Sequence, residues 1–102
     1  MNLADVRERD LWMCARCGSH DWLQVHHRRK RSQGGKDTFS NLITLCSKCH
    51  DFVHARQPQG RAEGWLLSRG MESAEVPVDH AAWPAGPVLL ADDGTVSLWQ
   101  AA

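Results

Sequence analysis

HHRRKRSQGGKDTFSNLITLCSKCHDFVH, residues 26–54, is the stretch on which the reading of this chain turns. It opens on the pair His26-His27, turns at Gly34-Gly35, passes Asn41 and closes on His50 and His54. Leu42-Ile43-Thr44-Leu45 is apolar and β-prone and predicts a strand. The residues after it predict a helix that starts near Ser47 and ends before Pro58, with Gly60 beyond. On such a helix His50 and His54 sit one turn apart on one face, the geometry of a two-histidine metal grip. Upstream, Trp22-Leu23-Gln24-Val25-His26 predicts a second strand, with Trp22, Gln24 and His26 on one side and Leu23, Val25 and His27 on the other. His26 is thus the candidate third ligand. Three protein ligands and an open position describe a catalytic rather than a structural metal site. His27 faces away from that ion and is left to act as a general base toward water. The plain alternative is a set of unconnected packing histidines, and four of them in two spaced pairs within 29 residues argue against it.

Two Cys-x2-Cys pairs, Cys14/Cys17 and Cys46/Cys49, frame the stretch. Four thiolates complete the tetrahedral shell that Zn²⁺ prefers, and each pair converges on one ion from a single turn. Gly18 suits the tight knuckle after Cys17. The pairs are 28 residues apart, more than the roughly 15–20 of common zinc ribbons, and the histidine stretch fills the excess. Two unliganded thiol pairs, or His20 in place of one cysteine, are the competing readings.

Residues 28–41 predict a long loop, a length that in a small domain points to function or disorder. Arg28, Arg29, Lys30 and Arg31, with Lys36, form a charge run that would ordinarily be a solvated face. Beside a phosphate site it predicts phosphate contacts, which set affinity and salt dependence rather than sequence choice. Asn41, with donors and an acceptor, is placed to tie this loop back and steady the strand of His27; taken alone it reads as a turn or cap residue.

The chain has 102 residues, enough for one small domain that gains from a metal brace. Its formal charge of zero hides an asymmetry: residues 1–57 hold 10 Lys/Arg against 6 Asp/Glu, and residues 58–102 hold 2 against 6. The front half suits a polyanion and the back half does not. No apolar run approaches the ~20 residues of a membrane span, and the N-terminus lacks a signal-peptide core, so a cytoplasmic location is the default. Residues 2 to about 11 predict a helix capped by Asn2, packing through Leu3, Val6 and, more loosely, Leu11, with Arg7, Glu8 and Arg9 solvated or, less simply, with Arg7 or Arg9 on phosphates of a polyanion. After residue 57 Pro and Gly recur. A short strand is expected at Trp65-Leu66-Leu67, and a hairpin over residues 88–99 turning at Asp93-Gly94. Trp65, Trp83 and Trp99 read as a satellite core or, less simply, a partner surface. His80 attracts no role. The expected architecture is small α+β: residues 1–57 as one finger, and residues 58–102 as an extension packed on the same domain.

These residues resemble the HNH endonucleases, whose fold is the ββα-metal finger. The histidine pair, the Gly-Gly turn, the Asn before an apolar strand and the closing H-x3-H fall in order. The two Cys-x2-Cys pairs are similar to the zinc-braced branch of that family. The resemblance covers roughly residues 5–57. It implies a structural Zn²⁺ on the four cysteines and a catalytic divalent cation (Mg²⁺, Mn²⁺, Ni²⁺ or Zn²⁺) on His26, His50 and His54. It makes His27 the general base and Asn41 the orienting residue. Many members carry Asp at the position of His26, and some end the site at that of His50. The implied activity is hydrolysis of double-stranded DNA. Small free-standing members are typical of bacteriophages, which implies a terminase partner in DNA packaging and a place in the host cytoplasm. A non-catalytic, zinc-braced DNA-binding or packaging-accessory module is the alternative. An interaction protein using its acidic tail is a third.

Overall fold

A computed structural model describes residues 1–100. The first element is helix α1 (Leu3–Arg9), closed at its start by a reciprocal capping box between Asn2 and Asp5. It buries only Val6; Leu3 and Leu11 are exposed, so the expected three-residue packing face is one residue wide. Arg9 is not solvated. Its guanidinium grips both carboxylate oxygens of Asp10 and the carbonyls of Phe39 and Leu42, fastening α1 to the chain entering the second strand.

Strand β1 (Leu23–His27) pairs antiparallel with β2 (Leu42–Cys46), in a register that sets His27 opposite Leu42 and Leu23 opposite Cys46. Every residue of β2 is buried, because the strand is covered on both faces. Helix α2 (Ser47–Ala55) follows without a linker, and the thiol of Cys46 caps it by accepting from the Cys49 amide. Together β1, β2 and α2 make the expected ββα finger. Pro58 does not end helical structure but starts a second short helix, α3 (Gln57–Ala62), where its fixed φ suits the first turn. Gly60 lets α3 fold back on α2: a Cβ there would lie 2.8 Å from the Val53 side chain.

Residues 65–67 are buried but form a bend, not the expected strand. Their amides serve α3 and the finger: Trp65 and Leu66 donate to Gly60, and Leu67 donates to Arg28. The expected hairpin is present as β3 (Val88–Leu90) and β4 (Val96–Leu98), with Gly94 at φ 91° in the turn. One core joins the two halves: Ile43, Leu45 and Val53 of the finger pack with Trp65, Leu66, Val78, Val88 and Leu90, and Trp83 lies against them. Trp99, by contrast, is exposed.

Two buried polar centres complete the join. Asp10 is 0% exposed; it accepts from the Thr44 amide at 2.8 Å and from His80 Nε2 at 2.9 Å. Burial pushes its carboxyl up, but the bonds from His80 and Arg9 outweigh that and hold it below the usual range. His80 takes the Ala82 amide on Nδ1, so its Nε2 carries the proton given to Asp10. The second centre is Arg28, described below. Among the described residues no helix is long and apolar enough to cross a membrane.

Candidate active site and metal centres

Cys14, Cys17, Cys46 and Cys49 converge, with their sulfurs within 4.8 Å of one another and none in a disulfide. Cys17 Sγ and Cys46 Sγ are 3.7 Å apart. A tetrahedron with zinc–sulfur bonds of about 2.3 Å has an edge of about 3.8 Å, so the spacing fits a shared ion. Each knuckle turns an amide onto its first sulfur, Cys17 N to Cys14 and Cys49 N to Cys46, both at 3.4 Å. Arg16 supplies outer positive charge: its guanidinium stands 3.8 Å from Cys49 Sγ, pairs with Glu63 at 2.9 Å and stacks over Phe52. His20 turns away, bonding the Trp12 carbonyl, so the variant with His20 as ligand is set aside.

The second cluster is His26, His50 and His54, one ligand nitrogen of each within 4.8 Å of the others. Strand β1 ends beside α2, and the i, i+4 spacing on α2 turns both of its imidazoles toward His26; ring centroids lie 5.3, 5.5 and 4.5 Å apart. His50 Nε2 and His54 Nε2 are 3.2 Å apart. Bonds of about 2.0–2.1 Å to a tetrahedral ion place two nitrogens about 3.3 Å apart, so this pair too matches one edge of a coordination shell.

His26 is 3% exposed, and its Nε2 donates to the Trp65 carbonyl at 2.7 Å. A carbonyl only accepts, so the proton is on Nε2 and the Nδ1 lone pair is the one left for a metal. Burial pulls the pKa of His26 down to about 4, partly opposed by that bond, and burial also lowers His50. Both rings are therefore neutral near pH 7, the form that ligates.

His27 opens onto the same cavity of about 310 Å³, lined by Val25, His26, His27, Lys30, Arg31, His50 and His54. Its Nε2 lies 2.7 Å from Asp37 Oδ1, and Asp37 also holds Arg31 at 2.9 Å. The hydrogen bond from His27 leads in keeping the Asp37 carboxyl below its ordinary range, with Arg31 adding to it against slight burial. Asp37 was absent from the residues the motif singles out. A signal was nevertheless there: it is the only carboxylate between Asp21 and Asp51, set among six cations. Asn41 does not touch His27. Its Nδ2 donates to the carbonyls of Arg29 and Lys36, and its Oδ1 accepts from the Arg29 amide, so it clamps the two ends of the loop together.

The basic run divides. Lys30, Arg31 and Lys36 are exposed, and Arg29 is partly covered, with its Nε on the Gln33 carbonyl. Arg28 is corrected: it is 0% exposed and does not face a ligand. Its guanidinium donates to the carbonyls of Gly64, Ser40, Ser73 and Val76 at 2.7–3.0 Å. Burial, with help from the Arg9 charge, lowers its pKa to about 10, still cationic at neutrality. Alternation along the strand explains the split, since Arg28 continues the inward face of His26.

Comparison with known proteins agrees with this geometry. Residues 14–56 match the family model described as HNH endonuclease. The chain is also similar to the type IV methyl-directed restriction enzyme EcoKMcrA of Escherichia coli (strain K12), 35% identical over 51 residues. That match takes in 41% of this chain and 18% of the relative, so it spans less than a fifth of the restriction enzyme. No solved structure matches the chain. The matched segment holds both cysteine pairs, the histidine pair, Asn41 and the H-x3-H of α2, and by it residues 14–56 form an HNH endonuclease domain.

Proposed function

We propose that the chain is a metal-dependent endonuclease that hydrolyses phosphodiester bonds of double-stranded DNA. The observation that carries this is the shared cavity: three imidazoles at metal-binding distance on one wall, with His27, Lys30 and Arg31 at its rim. A divalent cation on His26, His50 and His54 would supply Lewis-acid stabilisation of charge on the phosphate oxygens.

The chain's own residues supply the rest. Lys30 and Arg31 seat the DNA backbone, with Lys36 adding to the field. His27 takes a proton from a water molecule, whose oxygen attacks phosphorus as the bond to the 3′ oxygen breaks; that oxygen leaves as an alkoxide and takes a proton from solvent, leaving a 5′-phosphate and a 3′-hydroxyl. General-base help of this kind contributes about 10²- to 10⁴-fold. Asn41 fixes the loop on which the base and its neighbours depend. The four cysteines, with a structural Zn²⁺, place α2 so that Cys49 and the adjacent His50 are set by one another. A role in phage DNA packaging beside a terminase, in the host cytoplasm, rests on the resemblance to small phage members alone and adds no residue to the site.

The test is conversion of supercoiled plasmid to nicked or linear DNA by the zinc-loaded protein in Mg²⁺, Mn²⁺, Ni²⁺ or Zn²⁺. Cleavage that stops when the added cation is chelated supports the proposal. DNA binding without cleavage in any of the four would make the chain a zinc-braced binding module instead.

A further inference from the structure

We propose that Asp37 is the positioning residue of His27, fixing which ring nitrogen faces the water it activates. This rests on the reading of His27 as general base, and it names the partner which the motif itself does not supply.

A neutral imidazole has one N–H and one lone pair, and a base works only if the lone pair faces the reaction. Asp37 Oδ1, 2.7 Å from His27 Nε2, is a carboxylate oxygen and only accepts. The proton is then on Nε2, and Nδ1 keeps the lone pair. Arg31 Nε also approaches His27 Nε2, at 3.4 Å, and would require the opposite tautomer. The shorter, charge-assisted contact prevails, and Arg31 spends its better bonds on Asp37 itself, at 2.9 and 3.1 Å.

The loop is built to hold Asp37 there. Gly34 takes φ 83°, and Gly35 packs so closely that a Cβ would fall 1.8 Å from the Arg29 carbonyl oxygen. The Gly35 amide donates back to Lys30 at 2.9 Å. Asn41 then pins the carbonyl of Lys36, the residue next to Asp37, at 2.9 Å while holding Arg29 by both backbone groups. The motif asparagine therefore acts on the base indirectly: Asn41 fixes Lys36, Lys36 carries Asp37, and Asp37 orients His27. The hydrogen-bonded base with its own carboxylate follows the general logic of a nucleophile–base–orienter relay.

The experiment compares wild type, D37A and D37N as zinc-loaded full chains. In plasmid cleavage D37A loses about 10- to 100-fold in kcat, while KM for DNA moves less than about threefold. D37N, which keeps an acceptor oxygen of the same shape, recovers part of the loss. Nitrogen-15 NMR of the neutral ring reads the tautomer without any cleavage: wild-type His27 is protonated on Nε2, and D37A gives a mixture. Unchanged kcat in D37A, or a loss confined to KM, overturns the proposal. So does a wild-type ring protonated on Nδ1, or an Nε2–H ring that persists unchanged in D37A. Should wild type cut no DNA, the nuclease reading falls, and the tautomer comparison alone decides whether Asp37 sets the ring.

Discussion

His26 Nε2 donates to the backbone carbonyl of Trp65 across 39 residues of sequence, at 2.7 Å. The extension thereby reaches the three-histidine cluster: a residue outside the matched segment sets the tautomer of a candidate ligand inside it. The Trp65 indole meanwhile donates to Glu63, which pairs with Arg16 beside Cys49, so both metal clusters lean on the same short piece of chain.

Burial of His26 has a pH consequence. Its folded pKa is about 4 against 6.5 for the exposed ring. Between those values the unfolded chain takes up a proton that the folded chain refuses, so stability rises with pH. The contribution is intact above pH 6.5 and falls by up to about 1.4 kcal/mol per pH unit as pH drops from 6.5 toward 4. With zinc in the cage and no other cation added, the His26 ring signal should stay that of a neutral imidazole from pH 7 to 5. Ordinary titration near pH 6.5 would contradict its burial.

The cysteine cage should hold one zinc ion per chain. Structural zinc contributes about 10–16 kcal/mol to folding in small finger peptides, as much as a whole domain's usual stability of about 5–15 kcal/mol. The Cys46→Ser variant, or wild type stripped by a strong chelator, should lose its cooperative melt. A zinc-free protein that melts as sharply as the loaded one would remove the cage from the account.

Arg28 and Arg31 are separable although they stand in one basic run. Arg28→Ala takes the guanidinium donor from four carbonyls, and the loss should reach about 3 kcal/mol or more in a urea melt. Arg31→Ala, at an exposed side chain, should move stability by about 0.5 kcal/mol or less. It should instead weaken DNA binding and reduce the magnitude of the salt slope by about one. Equal effects of the two on stability would contradict the burial of Arg28.

The ligand set predicts metal preference. Three neutral imidazoles suit Ni²⁺ and Zn²⁺ better than Mg²⁺, which prefers oxygen. Cleavage should therefore be supported at lower concentrations of Ni²⁺ or Zn²⁺ than of Mg²⁺. Cobalt titration should show a thiolate-rich site and a separate nitrogen-rich one, and His54→Ala should weaken only the second. A single cobalt site in wild type would mean that the histidine cluster binds no ion.

What the sequence made legible was chemistry carried by side chains at short spacing. Cys-x2-Cys and H-x3-H encode their geometry within one turn, and strand alternation separates His26 from His27. What stayed hidden depends on backbone carbonyls from distant residues. Nothing local in Arg28-Arg29-Lys30-Arg31 reveals that Gly64, Ser73 and Val76 will enclose the first of the four. His80 and Asp10 are 70 residues apart, and neither lies in a motif. Trp65-Leu66-Leu67 has the apolar run of a buried strand, but its amides go to Gly60 and Arg28 instead of to a strand of either two-stranded sheet.

The most direct measurement is cleavage of supercoiled plasmid by the metal-loaded His27→Ala variant, with DNA binding followed in parallel. The account predicts affinity within about threefold of wild type and cleavage lowered by about 10²-fold or more. Wild-type cleavage by the variant would contradict it, because the base would then lie somewhere other than at the rim of the three-histidine cavity.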